Sequence, residues 1–178
     1  RNFVEITNPL GEDYSIMRTS MMPTLLITLS YNAAQRTPDA AVFEISYVYI
    51  KDEDDNKLPE HRELISMGRY ASNYTFFDIK GEVEAILDSL HIKNYEFEAE
   101  TDNPSMHPGR TAKLLINGKK VGILGQVHPV VADKFECPAD SYVALLEFAA
   151  IEKAAVDIPE NKELPKFPAT TRDLAVVV

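Results

Sequence analysis

Tryptophan is absent from this 178-residue chain, and cysteine occurs once, as Cys137. A lone cysteine cannot form an internal disulfide, which excludes a small secreted fold held together by such bonds. No apolar run approaches the length of a membrane-spanning helix, and no signal-peptide pattern opens the chain. These absences predict a cytoplasmic protein that does not enter a membrane.

Basic residues are fewer than acidic residues in this chain. Lysine and arginine number 18 against 28 aspartates and glutamates, and the formal net charge is -10. Non-specific binding of nucleic acid depends on many lysine and arginine contacts to phosphate. The composition therefore disfavours nucleic-acid binding by this chain alone, although Lys113, Lys119 and Lys120 form one compact basic group that keeps direct contact open as an alternative.

Motifs for metals and nucleotides are missing as well. The four histidines have no metal-ligand spacing with one another or with Cys137, so we expect no metal site. The segment 122–125 lacks the glycine spacing that cradles phosphate. The 45% of hydrophobic residues is enough for one domain with a sizeable core.

The segment from Ser20 to Arg36 predicts a helix that is apolar on more than one face. Ser20 is the expected N-cap, and one apolar stripe suits the chain's own core. This stripe consists of Met22, Leu25, Leu26, Leu29 and Ala33. Ile27 and Tyr31 lie roughly opposite the stripe, with Met21 at the margin, so a second layer or a partner chain must cover them.

The segment from Ala41 to Ile50 follows as a strand that is apolar on much of both faces. One face carries Phe43, Ile45, Tyr47 and Tyr49, and the other carries Val42, Val48 and Ile50. This pattern predicts a central strand. Glu44 interrupts the other face, and an ion pair with Arg18 would satisfy a half-buried carboxylate.

The remaining pattern alternates strands and short helices. Asp78 is the expected cap of a second amphipathic helix, and Tyr95–Thr101 alternates with glutamates that predict a wet face. Asn117-Gly118 is a strong hairpin signal. The sequence therefore predicts an α+β fold, an antiparallel sheet flanked by helices, over residues 1–156. A proline-rich linker at 157–168 leads into the start of a second domain at 169–178.

The segment His107-Pro108-Gly109-Arg110 reads as a loop with two interpretations. Arg110 offers a guanidinium fork to a carboxylate or phosphate, which would make the loop an anion-binding site. Alternatively, His107 and Arg110 hydrogen-bond neighbouring backbone and pin a turn, and the absence of a nucleophile nearby favours this structural role.

A set of short motifs along nearly the whole chain resembles the bacterial phenylalanyl-tRNA synthetase beta subunit family. The match rests on several motifs in the same order, which is far more specific than any one of them. These are Asn8-Pro9-Leu10, Met17-Arg18-Thr19-Ser20, Tyr31-Asn32, Phe43-Glu44-Ile45, Phe77-Asp78-Ile79-Lys80-Gly81, His107-Pro108-Gly109-Arg110, His128-Pro129, Phe167-Pro168-Ala169 and Arg172-Asp173-Leu174. Ser46-Tyr47 departs from the Gly-Arg pair that is common in the family.

This resemblance implies a class II aminoacyl-tRNA synthetase-like fold without catalytic chemistry. The arginine motifs Phe-Arg-x-Glu and Gly-x-Gly-x-x-Arg, with which class II enzymes bind ATP, do not occur in the sequence. In the family a catalytic alpha subunit uses ATP and Mg²⁺ to attach phenylalanine to tRNA(Phe), within an alpha2-beta2 heterotetramer. Residues 20–50 resemble the class II motif that builds the subunit interface, and residues 169–178 resemble the start of a ferredoxin-like anticodon-binding domain.

We therefore expect a structural module without catalytic residues that offers Met21, Ile27 and Tyr31 to the alpha subunit. The uncovered face would also allow two copies of the chain to pair when that partner is absent. Two alternatives remain: retained binding of ATP or an aminoacyl group near His107 and Arg110, and direct contact with tRNA.

Overall fold

A six-stranded antiparallel sheet organises the computed structural model, which describes residues 3–52, 54, 57–157 and 172–173. In chain order the elements are α1 (Met22–Ala34), β1 (Ala40–Ile50), β2 (Glu60–Tyr70), α2 (Phe76–Ser89), β3 (Tyr95–Ala99), β4 (Met106–Ile116), β5 (Lys119–Val127), α3 (Pro129–Lys134), β6 (Tyr142–Glu147) and α4 (Phe148–Ala154). The strands lie in the order β1-β2-β6-β5-β4-β3, each antiparallel to its neighbours. The predicted antiparallel α+β fold is confirmed.

The predicted linker at 157–168 and the predicted second domain at 169–178 lie almost wholly outside the described residues. The proposed division of the chain between them therefore stays a prediction.

Helix α1 covers one face of the sheet with the predicted apolar stripe. Met22, Leu25, Leu26 and Leu29 are all buried, and full burial of one such side chain contributes about 1.5–3 kcal/mol. Leu25 packs on Gly68 of β2, where an added Cβ would lie 2.8 Å from Leu25 Cγ. The N-cap is Met21, one residue later than predicted, although Ser20 Oγ still accepts a hydrogen bond from the Met22 amide.

Helices α2 and α4 cover the opposite face. Ile79, Val83 and Leu87 of α2 are buried in a cluster with Ile151 of α4 and with residues of β4, β5 and β6. The predicted cap of α2 is wrong by three residues. Thr75 is the N-cap, and Asp78 is the third helical residue, whose carboxylate accepts a hydrogen bond from the Thr75 amide at 2.7 Å.

Strand β1 lies at the edge of the sheet, so the prediction of a central strand is wrong. Its only strand partner among the described residues is β2. Phe43, Ile45 and Tyr47 share the face that looks toward α2 and α4, but these helices do not reach β1, and the three side chains are exposed. The apolar residues on both faces of β1 predicted that other parts of the chain would cover both faces. In the structure, one of these faces is uncovered.

The segment His107–Arg110 belongs to β4 rather than to a loop. The pairing of β4 with β5 is irregular between Met106 and Thr111, and Gly125 lies opposite this irregularity. Gly125, not Gly109, has the positive φ, at 152°. A Cβ at Gly125 would lie 2.3 Å from the Arg110 carbonyl oxygen, so the two backbones approach as closely as they do only because this residue is glycine.

Glu96 and Glu98 form the predicted solvent-exposed face of strand β3, but Glu100 is buried. Glu100 is 8% exposed, with its carboxylate 3.3 Å from the Lys113 ammonium and accepting a hydrogen bond from the Asp102 amide. The alternation ends because β3 stops at Ala99 and the chain turns. The pKa of Glu100 is lowered from its ordinary value, first by the Asp102 amide and then by Lys113.

The close approach at Gly125 leads to a stability prediction. Gly125→Ala should lower the free energy of unfolding by about 2–4 kcal/mol, because the new methyl group meets backbone and the positive φ is strained. The matched control is Gly81→Ala in α2, where nothing lies within 4 Å of the added Cβ. This control should gain about 0.5–1 kcal/mol of helix propensity. Urea unfolding measures both, and equal stability of the Gly125→Ala variant and the parent would contradict the packing described.

The lowered pKa of Glu100 predicts a specific acid sensitivity. The stabilisation by its carboxylate is fully present above the ordinary pKa of 4.5 and is lost as the pH falls through the lower folded value. Glu100→Gln should therefore reduce the loss of stability on acidification, whereas Glu96→Gln, at an exposed position, should not. Urea unfolding between about pH 7 and about pH 3 tests this. An unchanged acid dependence in the Glu100→Gln variant would show that the carboxylate is not stabilised as described.

Candidate functional site

The outer face of α1 is exposed and has no charge. Ile27 is 59% exposed and Tyr31 66%, and Thr24 and Thr28 share their face. No residue of α1 is acidic or basic, although 26% of the chain is charged. Depletion of charge with retention of aromatic and aliphatic groups is typical of the core of a protein interface.

The threonine hydroxyls of this face and the neighbouring Asn32 amide already have hydrogen-bond partners within the helix. Thr24 Oγ1 donates to the Met21 carbonyl at 2.9 Å, and Thr28 Oγ1 donates to the Thr24 carbonyl at 3.0 Å. Asn32 Nδ2 donates to the Thr28 carbonyl at 2.8 Å. A partner could cover these groups at little cost, because the threonine hydroxyls and the Asn32 amide would not lose their hydrogen bonds.

Met21 does not belong to the exposed face, and its assignment there is wrong. The residue is 0% exposed, whereas Ile27 and Tyr31 are open. The Met21 carbonyl accepts a hydrogen bond from the Leu25 amide one helical turn further on, so Met21 extends the buried stripe that contains Leu25 and Leu29. We call the face formed by Thr24, Ile27, Thr28 and Tyr31 the α1 face.

Arg18 and Glu44 form the ion pair that their charges predict. Arg18 Nη2 lies 2.9 Å from Glu44 Oε1, and Arg18 Nε donates to the Tyr47 carbonyl at 2.9 Å. The Tyr49 amide in turn donates to the Arg18 carbonyl. Arg18 therefore lies along the outer edge of β1 and covers part of it, which is a structural role.

The exposed face of β1 was missed by the sequence analysis. Phe43 is 76% exposed, Ile45 47% and Tyr47 41%, on the side of the sheet opposite α1. The outer backbone groups of Tyr47 and Tyr49 bond to Arg18, and the described residues include no such partner for the outer backbone of Phe43 or Ile45.

A second candidate site lies around Arg110, where a cleft of about 490 Å³ separates the start of α2 from the ends of β4 and β6. Aromatic side chains and a pair of opposite charges line it: Tyr74, Phe76, Phe77, Tyr142, Arg110 and Asp140. His107 lies beside it, where its Nδ1 accepts a hydrogen bond from the Gly109 amide and its carbonyl accepts one from Thr111 Oγ1. His107 thus bonds to its neighbours as the structural interpretation proposed, but it stabilises an irregular strand and not a turn, and Arg110 bonds to the Gln126 side chain rather than to backbone.

Two tyrosines that line this cleft have a pKa raised above the ordinary value, which favours their neutral forms. Burial, with Glu82 nearby, raises the pKa of Tyr74, and burial raises the pKa of Tyr142. Burial also raises the pKa of the Cys137 thiol, which lies outside the cleft and donates to the Leu26 carbonyl. These groups are protonated at neutral pH, so none of them is an activated nucleophile.

The described residues include no group of three or more histidine, cysteine, aspartate or glutamate side chains placed to hold a metal ion. In the same part of the chain, no helix is long and apolar enough to cross a membrane.

Comparison with known proteins identifies the family. A profile described as the phenylalanyl tRNA synthetase beta chain CLM domain matches residues 1–148. The phenylalanine-tRNA ligase beta subunit of Clostridium tetani is 39% identical over all of this chain and 22% of its own length. That of Bacillus subtilis is 33% identical over 95% of this chain and 22% of its own length. The chain thus spans about a fifth of the length of these relatives.

The fold has a counterpart among solved structures. A pyrrolysyl tRNA synthetase from Desulfitobacterium hafniense superposes with a TM-score of 0.64 at 10% identity, over 88% of this chain and 58% of its own. This likeness concerns the fold alone and confirms the predicted synthetase-like architecture. Together with the family match, it leads to one conclusion: the chain belongs to the family of the phenylalanyl-tRNA synthetase beta chain CLM domain.

Proposed function

We propose that this chain is a non-catalytic structural module of a phenylalanine-tRNA ligase beta subunit, and that its α1 face docks on the alpha subunit. The observation that carries the proposal is the absence of charge from an exposed, partly aromatic helix face whose threonine hydroxyls are already hydrogen-bonded. The chain as a whole carries a net charge of -10, and an exposed uncharged face does not add to its solubility. Such a surface is typical of an interaction site.

The chemistry then belongs to the partner. In this proposal the alpha subunit binds ATP and Mg²⁺ and attaches phenylalanine to tRNA(Phe), and a cytoplasmic heterotetramer holds the tRNA. The sequence supports this division, because the arginines that would stabilise charge on the α-phosphate during adenylate formation have no counterpart here.

The exposed face of β1 gives the proposal further support. Phe43, Ile45 and Tyr47 form a second apolar surface, on the other side of the sheet from α1. A module with uncovered apolar surfaces on both sides of its edge strand suits a larger assembly better than isolation. The same surfaces favour pairing of two copies when the alpha subunit is missing.

Direct contact with tRNA has weaker support. Lys113 Nζ lies 3.3 Å and Lys120 Nζ 4.0 Å from the same Glu100 carboxylate oxygen. The compact basic group is therefore partly neutralised, and we expect the complex rather than this chain alone to bind tRNA.

The docking proposal is tested by placing charge on the α1 face. The double variant Ile27→Glu/Tyr31→Glu should weaken binding to the alpha subunit by about tenfold or more, because the partner would have to bury two unpaired carboxylates. Pull-down with purified alpha subunit, followed by titration calorimetry, measures the loss.

The matched control is Leu58→Glu, which adds a charge at a 91% exposed apolar residue in the β1–β2 connection. Thermal unfolding should show that all variants remain folded, since both altered side chains of α1 are exposed in the chain alone. If the double variant binds the alpha subunit as tightly as the control, the α1 face is not the docking surface.

A further inference from the structure

The turn between β4 and β5 contains Asn117, the one asparagine of the chain that precedes a glycine. Both turn residues are exposed, and both have a positive φ, at 52° for Asn117 and 72° for Gly118. Nothing lies within 4 Å of the position that a Cβ of Gly118 would occupy. In the part of the chain that the structure describes, the Gly118 amide donates no hydrogen bond. The backbone nitrogen of Gly118 is therefore accessible and free to react.

A neighbouring asparagine holds the side chain of Asn117. Asn94 Nδ2 donates to Asn117 Oδ1 at 2.5 Å, and the Asn117 backbone amide donates to the Asn94 carbonyl at 3.0 Å. Attack by a nucleophile on Asn117 Cγ would place negative charge on Oδ1. A donor already aimed at an oxygen where charge develops lowers the barrier to such a reaction. The contact with Asn94 thus favours attack on this side-chain carbonyl.

Asn73 offers a matched comparison within the same chain. It is also exposed and also has a positive φ, at 63°. The residue that follows it is Tyr74, which has a Cβ, and the Tyr74 amide donates to the Ala71 carbonyl at 3.3 Å. Glycine has no Cβ to hinder attack by its own nitrogen. The two asparagines share a backbone conformation and differ in the access to the next nitrogen.

We propose that Asn117 is a modification site, where reaction with water converts the asparagine into aspartate and isoaspartate. The Gly118 nitrogen gives up its proton to a base in the solvent and bonds to Asn117 Cγ. The bond from Cγ to Nδ2 then breaks, and Nδ2 takes a proton and leaves as ammonia. Water opens the resulting cyclic imide at either carbonyl, which gives aspartate at Cγ or isoaspartate at the backbone carbonyl. No oxidation or reduction takes place.

The isoaspartate product changes the hairpin. Its main chain runs through the side-chain methylene, so the turn gains a backbone atom, whereas a two-residue turn fixes the register of its strands. Ile116 and Lys119 pair directly across this turn, and Ile116 is 5% exposed and belongs to the core. We therefore expect the isoaspartyl form to unfold at a lower urea concentration than the parent. The modification does not depend on the docking proposal, because the α1 face takes no part in it.

Peptide mapping tests the proposal on the unaltered 178-residue chain. The chain is incubated at mildly alkaline pH in water enriched in heavy oxygen, and electron-transfer fragmentation distinguishes aspartate from isoaspartate. Asn117 should give both products, each with one heavy oxygen atom, and Asn73 should react about tenfold more slowly or worse. An unchanged Asn117, equal conversion of Asn73, or aspartate as the sole product would overturn the proposal.

Two variants separate the contribution of the fold from that of the sequence. Asn94→Ala should slow the conversion of Asn117 by about tenfold in the folded chain and leave it unchanged in urea, where Asn94 no longer holds the side chain. Gly118→Ala should slow it by about tenfold in urea as well, because the methyl group hinders the attack. The control Gly81→Ala should react at the parental rate. An undiminished rate in folded Asn94→Ala, with thermal unfolding showing that it is folded, would contradict the role of Asn94, and an undiminished rate in Gly118→Ala would contradict attack by the Gly118 nitrogen.

Discussion

The packing of Leu25 on Gly68 is the contact on which the rest of the structure depends. It brings α1 close to β2 at a point where any side chain on the strand would force the helix away. Once Leu25, Leu26 and Leu29 are turned to the sheet, helical geometry directs Ile27 and Tyr31 to solvent. The outward orientation of the α1 face is thus a fixed consequence of how the core forms.

The position of β1 at the sheet edge has a second consequence. An edge strand with apolar side chains and free backbone groups invites pairing with other chains. Arg18 limits this tendency, since its pairing with Glu44 and its bonds to Tyr47 and Tyr49 cover the C-terminal part of the edge. Phe43 and Ile45 stay uncovered, in a family whose members are about five times longer than this chain. Both observations agree with a module that works inside a larger assembly.

Local sequence signals predicted the elements whose burial is decided within the chain. The apolar stripe of α1 and the hairpin at Asn117-Gly118 followed from helical spacing and turn chemistry. Predictions failed where the burial of a residue depends on the position of its element in the tertiary structure. A strand with apolar residues on both faces, such as β1, can be either a central strand or an edge strand whose exposed face is covered by another chain. The turn-like His107–Arg110 segment is extended because Gly125, distant in sequence, lets β5 approach it, and only the fold brings Arg110, Gln126 and Asp140 together.

The central claim is that a partner subunit covers the α1 face, and side-chain accessibility measures this directly. Hydroxyl-radical footprinting of Tyr31, read by mass spectrometry, compares the chain alone with the chain bound to the alpha subunit. Tyr14, which is 69% exposed, serves as the internal reference. The account predicts strong labelling of Tyr31 in the free chain and marked protection of Tyr31 in the complex. Labelling of Tyr14 should be the same in both states. Equal labelling of Tyr31 in the free and bound states would contradict the account.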